Sequence, residues 1–148
     1  MELFREDLIK LKYFALDKKS CLSEMVEYLV EKNIVKSHDD FFRAIMERES
    51  IMSTGIGKGV AIPHARSNVV NEFKILVYIL DNELDFEAID EQPVKIIFMI
   101  AVPEAKKEEY MKVLSSISNF LRAEEKREKL LHLSDKKEIL KILKEIES

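Results

Sequence analysis

KILVYILDNELDFEAIDEQPVKIIFMIAV, residues 74–102, is the stretch that decides the fold class. Its two ends, KILVYIL (74–80) and VKIIFMIAV (94–102), are dense in β-branched and aromatic residues and read as buried strands. The run 96–102 is the longest apolar stretch of the chain and has the length of a strand rather than of a core helix. Between the two ends, LDFEAIDEQP reads as a short edge strand and a turn, with Pro93 opening the strand that follows.

On both sides of this region the apolar residues fall into helical period. Leu22, Met25, Val26, Leu29 and Val30 share one face, behind a Ser20 suited to cap the helix. A second helix is expected after Ser37, which forms a capping box with Asp40 ahead of Phe41, Phe42, Ile45 and Met46, and should end near Arg48 and Glu49. After Pro103, Tyr110, Val113, Leu114, Ile117, Phe120 and Leu121 make one stripe. Ile139, Leu140, Ile142, Leu143 and Ile146 make another, behind a cap at Ser134 or Asp135. Helices around a central run of strands predict an α/β domain with helices covering the faces of a sheet. No low-complexity linker or repeat divides the chain, so residues 1–148 read as one domain.

Composition narrows the function classes. A net charge of −4 gives no electrostatic reason to expect a nucleic-acid partner. The single Cys21 excludes an internal disulfide, no cysteine cluster is present to hold a metal, and the three widely spaced histidines show no ligand spacing. The N-terminus mixes charges of both signs, and no run of 18 apolar residues occurs. A cytoplasmic protein without membrane insertion is therefore expected.

Chemistry concentrates in IMSTGIGKGVAIPH, residues 51–64. All three glycines of the chain, Gly55, Gly57 and Gly59, lie here, which implies positive φ or a close approach by another group; a tight irregular connection fits equally. The Walker A spacing is absent, and the dinucleotide fingerprint fails because VAIP continues extended where a helix should begin. His64 emerges from a segment stiffened by Pro63, beside a small Ala65 and a charged Arg66. Ser53 and Thr54 offer hydroxyls, and Arg48 a guanidinium that can grip phosphate oxygens. A phosphoryl-accepting histidine needs one free ring nitrogen and a hydrogen bond orienting the other. A structural histidine at a strand end fits the same residues, and both readings stand on the residues alone.

The pair Arg48-Glu49 followed by STGIGKGVAIPHAR (53–66) resembles the signature of the fructose/mannitol-type enzyme IIA domains of the phosphoenolpyruvate-dependent sugar phosphotransferase system (PTS), among them the nitrogen-regulatory IIA proteins. The resemblance extends through DFEAIDEQPVKIIFMIAVP (85–103) and two closing helices. It implies a mixed sheet flanked by helices on both faces, a phosphohistidine at His64, phospho-HPr as donor and a IIB domain as acceptor, with no cofactor and no metal. By position it places Arg48, Ser53 and Thr54 around the phosphoryl group. It also implies a second histidine seven residues past the proline ending the late strand, a position held here by Tyr110. Tyr110 can donate a hydrogen bond but supplies no positive charge. Three readings stay open: an adequate substitute, the mark of a regulator whose partner reads its phosphorylation, or a filler of the apolar stripe. His38 is expected as a solvated residue at a helix start, His132 at a helix end, and Cys21 in packing.

Overall fold

β5 (Lys74–Leu84) and β6 (Val94–Pro103) pair antiparallel at the centre of a six-stranded mixed sheet. The computed structural model describes residues 2–147. β1 (Ile9–Tyr13) lies parallel to β5 at one side, and β3 (Val60–Ala61) and β4 (His64–Ser67) lie parallel to β6 on the other. β2 (Gly55–Gly57) closes that edge, antiparallel to β3.

The alternation of side chains along the two central strands sorts the core into two layers. Leu76, Tyr78 and Leu80 of β5 and Ile97, Met99 and Ala101 of β6 face α1 (Lys18–Glu31) and α2 (His38–Ile51). Ile75, Val77 and Ile79, with Ile96, Phe98, Ile100 and Val102, face α3 (Lys107–Arg122), α4 (Glu124–His132) and α5 (Lys136–Leu143). A sheet covered on both faces needs apolar residues at odd and even positions alike, which is why both strands read as unbroken apolar runs.

Several boundaries differ from expectation, each for a local reason. β1 carries no expectation from the sequence: IKLKY is short and mostly half-buried, and its partner β5 is remote in the chain. α1 begins earlier, because the Asp17 carboxylate rather than Ser20 caps it, accepting the Ser20 N–H at 2.8 Å. Ser37 caps α2 as expected, accepting the Asp40 N–H at 3.2 Å, but the helix runs on to Ile51. Segment 85–93 forms no edge strand: β5 itself extends to Leu84 opposite Val94, and a loop with positive φ at Glu87 and Glu91 follows. The two closing helices are three, because the backbone turns extended at Ala123, and Arg127 Nη1 donates to the Leu121 and Arg122 carbonyls that α3 leaves unpaired. Asp135, not Ser134, caps α5, accepting the Lys137 N–H at 2.9 Å.

β3 and β4 are one course along β6 interrupted at Ile62-Pro63. Val60 pairs with Ile96 and His64 with Ile100, the same offset before and after the break. Pro63 has no N–H to give the ladder, so pairing lapses there while its carbonyl accepts from Ile100 N at 2.9 Å.

The glycines serve this edge in two ways. Gly57 and Gly59 have φ of +99° and +80°, and a Cβ on Gly55 would lie 2.8 Å from the Ala88 Cβ. Backbone as well as side chain of Ala88 is that close, so Gly55→Ala is expected to destabilise by about 1–3 kcal/mol, measured as a lower urea midpoint with unchanged slope.

Candidate functional site

His64 starts β4, an edge strand: β6 pairs with one side of it and β2 continues only β3. Its pairing with Ile100 puts the imidazole on the α3 side of the sheet, while α2 packs over β4 from the other face. Groups from both helical layers therefore meet over the open edge. α2 contributes Arg48 and Ile51, α3 contributes Tyr110, and β4 contributes His64, Ala65 and Arg66, around an open pocket of about 320 Å³.

The imidazole is 9 % exposed and its orientation is fixed. Nδ1 lies 2.6 Å from the Ile62 carbonyl oxygen. A carbonyl can only accept, so Nδ1 carries the proton and donates, and the lone pair resides on Nε2. That carbonyl is available because Ile62 turns its polar groups away from β6: its N–H bonds the Thr54 carbonyl, while it is the Pro63 carbonyl that accepts from Ile100. The ring meets Tyr110 edge-on, with centroids 5.6 Å apart and planes at 67°. Burial lowers the His64 pKa below its ordinary value; the Ile62 hydrogen bond pushes it up, the Arg48 charge down and the Glu49 charge up, in order of decreasing weight. The ring is thus held neutral, as a nucleophilic nitrogen requires.

Two guanidinium groups are tethered beside it. Arg48 Nη1 donates to the Met52 carbonyl at 2.7 Å, at the end of α2, and Arg66 Nη1 donates to the Glu104 carbonyl at 2.7 Å. Each bond occupies one N–H of a five-donor group. Burial raises the Tyr110 pKa, against the opposing charges of Arg48 and Arg66, so its hydroxyl stays protonated and can donate. A neutral nucleophilic nitrogen among guanidinium groups and a hydroxyl suits a transferable oxyanion such as a phosphoryl group.

Ser53 and Thr54 take another part. The Ser53 hydroxyl donates to the Phe86 carbonyl at 2.9 Å and accepts from Gly55 N at 3.1 Å, and the Thr54 hydroxyl, buried, donates to the Glu49 carboxylate. Both hydroxyls are engaged, Ser53 with Phe86 and Gly55 and Thr54 with Glu49, and neither lines the pocket beside His64. The glycines also lie apart: the Gly59 carbonyl accepts from Lys95 and Ile96 at the start of β6, four residues from the Ile100 that pairs with His64, or about 13 Å along the strand.

Residues 44, 47, 48 and 51, spaced i, i+3, i+4 and i+7, put Ala44 and Glu47 on the same pocket-facing stripe of α2 as Arg48 and Ile51. That spacing was the available signal for Ala44, Glu47 and Ile51. Glu49 stands with Arg48 in the signature, which assigned it no role; its burial, 7 % exposed, follows from its place four residues after Ile45 on the buried stripe of α2. Elsewhere, a larger cavity of about 750 Å³ between the start of α1 and the end of β5 brings no histidine or cysteine together. His38 opens α2 and contacts Ser23 and Asp39, and His132 ends α4, 2.9 Å from Glu128 rather than on the terminal carbonyls. Cys21 is fully buried, and burial pushes its thiol up to about 12. Among the described residues no group of three metal-ligating side chains gathers, and no helix is long and apolar enough to cross a membrane.

Comparison with known proteins places the chain in a family. Residues 2–146 match the family described as "Phosphoenolpyruvate-dependent sugar phosphotransferase system, EIIA 2". The fructose-specific EIIA component of the PTS of Haloferax volcanii is 33 % identical over 140 residues, covering 95 % of this chain and 91 % of the relative. The crystal structure of nitrogen regulatory protein IIA-Ntr from Neisseria meningitidis superposes with a TM-score of 0.88 at 32 % identity, covering 94 % of each chain. Mannitol enzyme IIA of Escherichia coli, solved in complex with phosphorylated enzyme IIB, shares the fold with a TM-score of 0.81 at 23 % identity, over 96 % of each chain. With the match spanning nearly every residue from the first strand to the last helix, the chain belongs to the type-2 EIIA family of the phosphoenolpyruvate-dependent sugar phosphotransferase system.

Proposed function

We propose that this protein is a cytoplasmic phosphocarrier that accepts a phosphoryl group on Nε2 of His64 from phospho-HPr and passes it to a IIB domain. The observation that carries the reading is the Nδ1–H donated to the Ile62 carbonyl of a nearly buried, neutral imidazole. In the first transfer the Nε2 lone pair forms a bond to phosphorus as the donor's P–N bond breaks, its electron pair returning to the donor. Positive charge developing on the ring is met by the Ile62 carbonyl through Nδ1–H. The equatorial oxygens are met by Arg48, Arg66 and Tyr110, which line the pocket. The second transfer is the reverse process toward the IIB domain. Exposed Ile51 and Met111, one on each helix that brings a residue to the pocket, give a partner an apolar rim to settle against.

The test is transfer itself. Phosphorylated protein, freed of donor and mixed with a IIB domain, is expected to lose 80 Da as IIB gains it. If no phosphoryl group passes to a competent IIB domain, the carrier reading fails at its second step.

A second reading, a regulator whose phosphorylation state a protein partner reads, is favoured by the likeness to IIA-Ntr and by tyrosine at position 110. It predicts a stable partner retained in one phosphorylation state alone. Tyr110 also gives a separate test. Its ring packs edge-on against His64 and its hydroxyl stays protonated, so it donates to the phosphoryl group in either reading. Tyr110→Phe keeps the ring contact and removes the donor. It is expected to shorten the phosphohistidine half-life by about tenfold or more, as loss of a hydrogen bond to a charged group would. An unchanged half-life, followed by 31P NMR, assigns Tyr110 to packing.

A further inference from the structure

Glu49 is a carboxylate almost out of solvent, and its hydrogen bonds lead to His64. Oε1 accepts the Thr54 N–H at 3.1 Å and lies 3.0 Å from the Lys18 ammonium, while Oε2 accepts the Thr54 hydroxyl proton. The ammonium sits 4.5 Å over the Phe86 ring, which keeps the pair tight and mostly dry. A carboxylate this buried is tolerated only with such partners, and it fixes the geometry of whatever it holds. What it holds is Thr54, by amide and hydroxyl together. The Thr54 carbonyl accepts the Ile62 N–H at 3.0 Å, and the Ile62 carbonyl accepts the proton of His64 Nδ1 at 2.6 Å. Ile62 is thus held from behind by Thr54 and from ahead by Pro63, at the one point where the ladder to β6 lapses.

We infer that Glu49 is a positioning residue for His64: by gripping Thr54 it sets the Ile62 carbonyl that keeps the proton on Nδ1 and the lone pair on Nε2. Lys18 holds the carboxylate in place. The inference rests on the reading of His64 as the phosphoryl acceptor, and gives the Arg48-Glu49 pair a division of labour, the first toward the phosphoryl oxygens and the second toward the tautomer. Hydrogen-bond partners that orient a functional histidine are commonly worth 10- to 100-fold in activity, so an effect of about tenfold is expected from a partner acting at two removes.

The test compares the full chain with Glu49→Gln, Thr54→Val and Thr54→Ser. Long-range 1H–15N spectra of the unphosphorylated proteins, above the His64 titration, report the tautomer without any donor present. Wild type and Thr54→Ser, which keeps the hydroxyl, should show only the Nδ1–H form. Glu49→Gln and Thr54→Val should add the Nε2–H form, and their kcat for phosphoryl acceptance should fall about tenfold with KM for phospho-HPr unchanged. Folded variants that keep a single Nδ1–H tautomer would overturn the inference, as would Thr54→Ser behaving like Thr54→Val. Should Glu49→Gln not fold, the two Thr54 variants decide alone. Should wild type accept no phosphoryl group, the proposed function falls while the tautomer comparison still decides the role of Glu49.

Discussion

Arg48→Met is expected to slow phosphoryl acceptance by His64 on the order of 100-fold while leaving the fold intact. Methionine keeps the unbranched apolar stem and good helix propensity, so α2 should persist. What goes is the fixed positive charge beside Nε2. Phosphoryl transfer relies on positioning and on stabilising charge spread over three oxygens, and a preorganised guanidinium is worth far more there than in water. Arg66 remains in the pocket, tethered to Glu104 as Arg48 is to Met52, but it approaches from β4 rather than from α2 and so substitutes only in part.

The same variant has a pH signature. Burial is the main cause of the lowered His64 pKa, and Arg48 adds to the lowering. Acceptance requires the neutral ring, so the midpoint of the wild-type rate's fall with acidity should lie below the ordinary histidine value of about 6.5. In Arg48→Met the fall moves to higher pH. Folding follows the same sign. The unfolded chain takes up the proton first as pH drops, so the contribution of His64 to stability is present above its unfolded pKa and lost as pH falls through the folded one. An NMR titration of the His64 ring in both proteins measures the shift. A midpoint that stays put or moves down would remove Arg48 from the neighbourhood of the ring.

The largest loss of stability is expected at Phe98. It lies fully buried in β6, whose neighbours are β5 and the β3–β4 course, and its ring meets Phe4 edge-on at 6.0 Å. Truncation removes that contact and leaves a cavity between the sheet and the α3–α5 layer that backbone paired on both sides cannot collapse into. Phe98→Ala should therefore lose about 3–5 kcal/mol, a large part of the 5–15 kcal/mol that holds most domains together. Urea unfolding measures it. A loss near 1 kcal/mol would mean that the layer closes over the gap and is less rigidly packed than its burial indicates.

The central hairpin and the helical stripes were legible because burial on one face or both imposes a period that composition cannot hide. β1 was not, because a short strand with lysines at alternate places is selected by its pairing with β5, a contact 68 positions away between Ile9 and Val77. β2, β3 and β4 are two to four residues each and exist through their pairing to β6 and to each other. Segment 84–93 reads as a short edge strand and a turn, and Leu84, Phe86 and Ala88 are all buried, yet Leu84 ends β5, Phe86 lies against Lys18 and Ala88 under Gly55. The chemistry followed the same division. His64 and Arg48 stood out by residue type and motif. Which way the Ser53 and Thr54 hydroxyls turn was invisible, because it depends on a carboxylate of α2 and a carbonyl at Phe86, 33 residues on from Ser53. Glu49 was visible as a member of the Arg48-Glu49 pair, but not its role, because the groups it holds, Thr54 and Lys18, are brought to it only by the fold.

Intact mass tests phosphorylation of His64 most directly. Wild type and His64→Ala are each incubated with phosphoenolpyruvate, enzyme I and HPr, and the phosphorylated product is examined by 15N NMR of the ring. The predicted result is one acid-labile phosphoryl group on wild type alone, bonded to Nε2 with Nδ1 still protonated. No added mass on folded wild type beside a working control, or equal mass on both proteins, would contradict it.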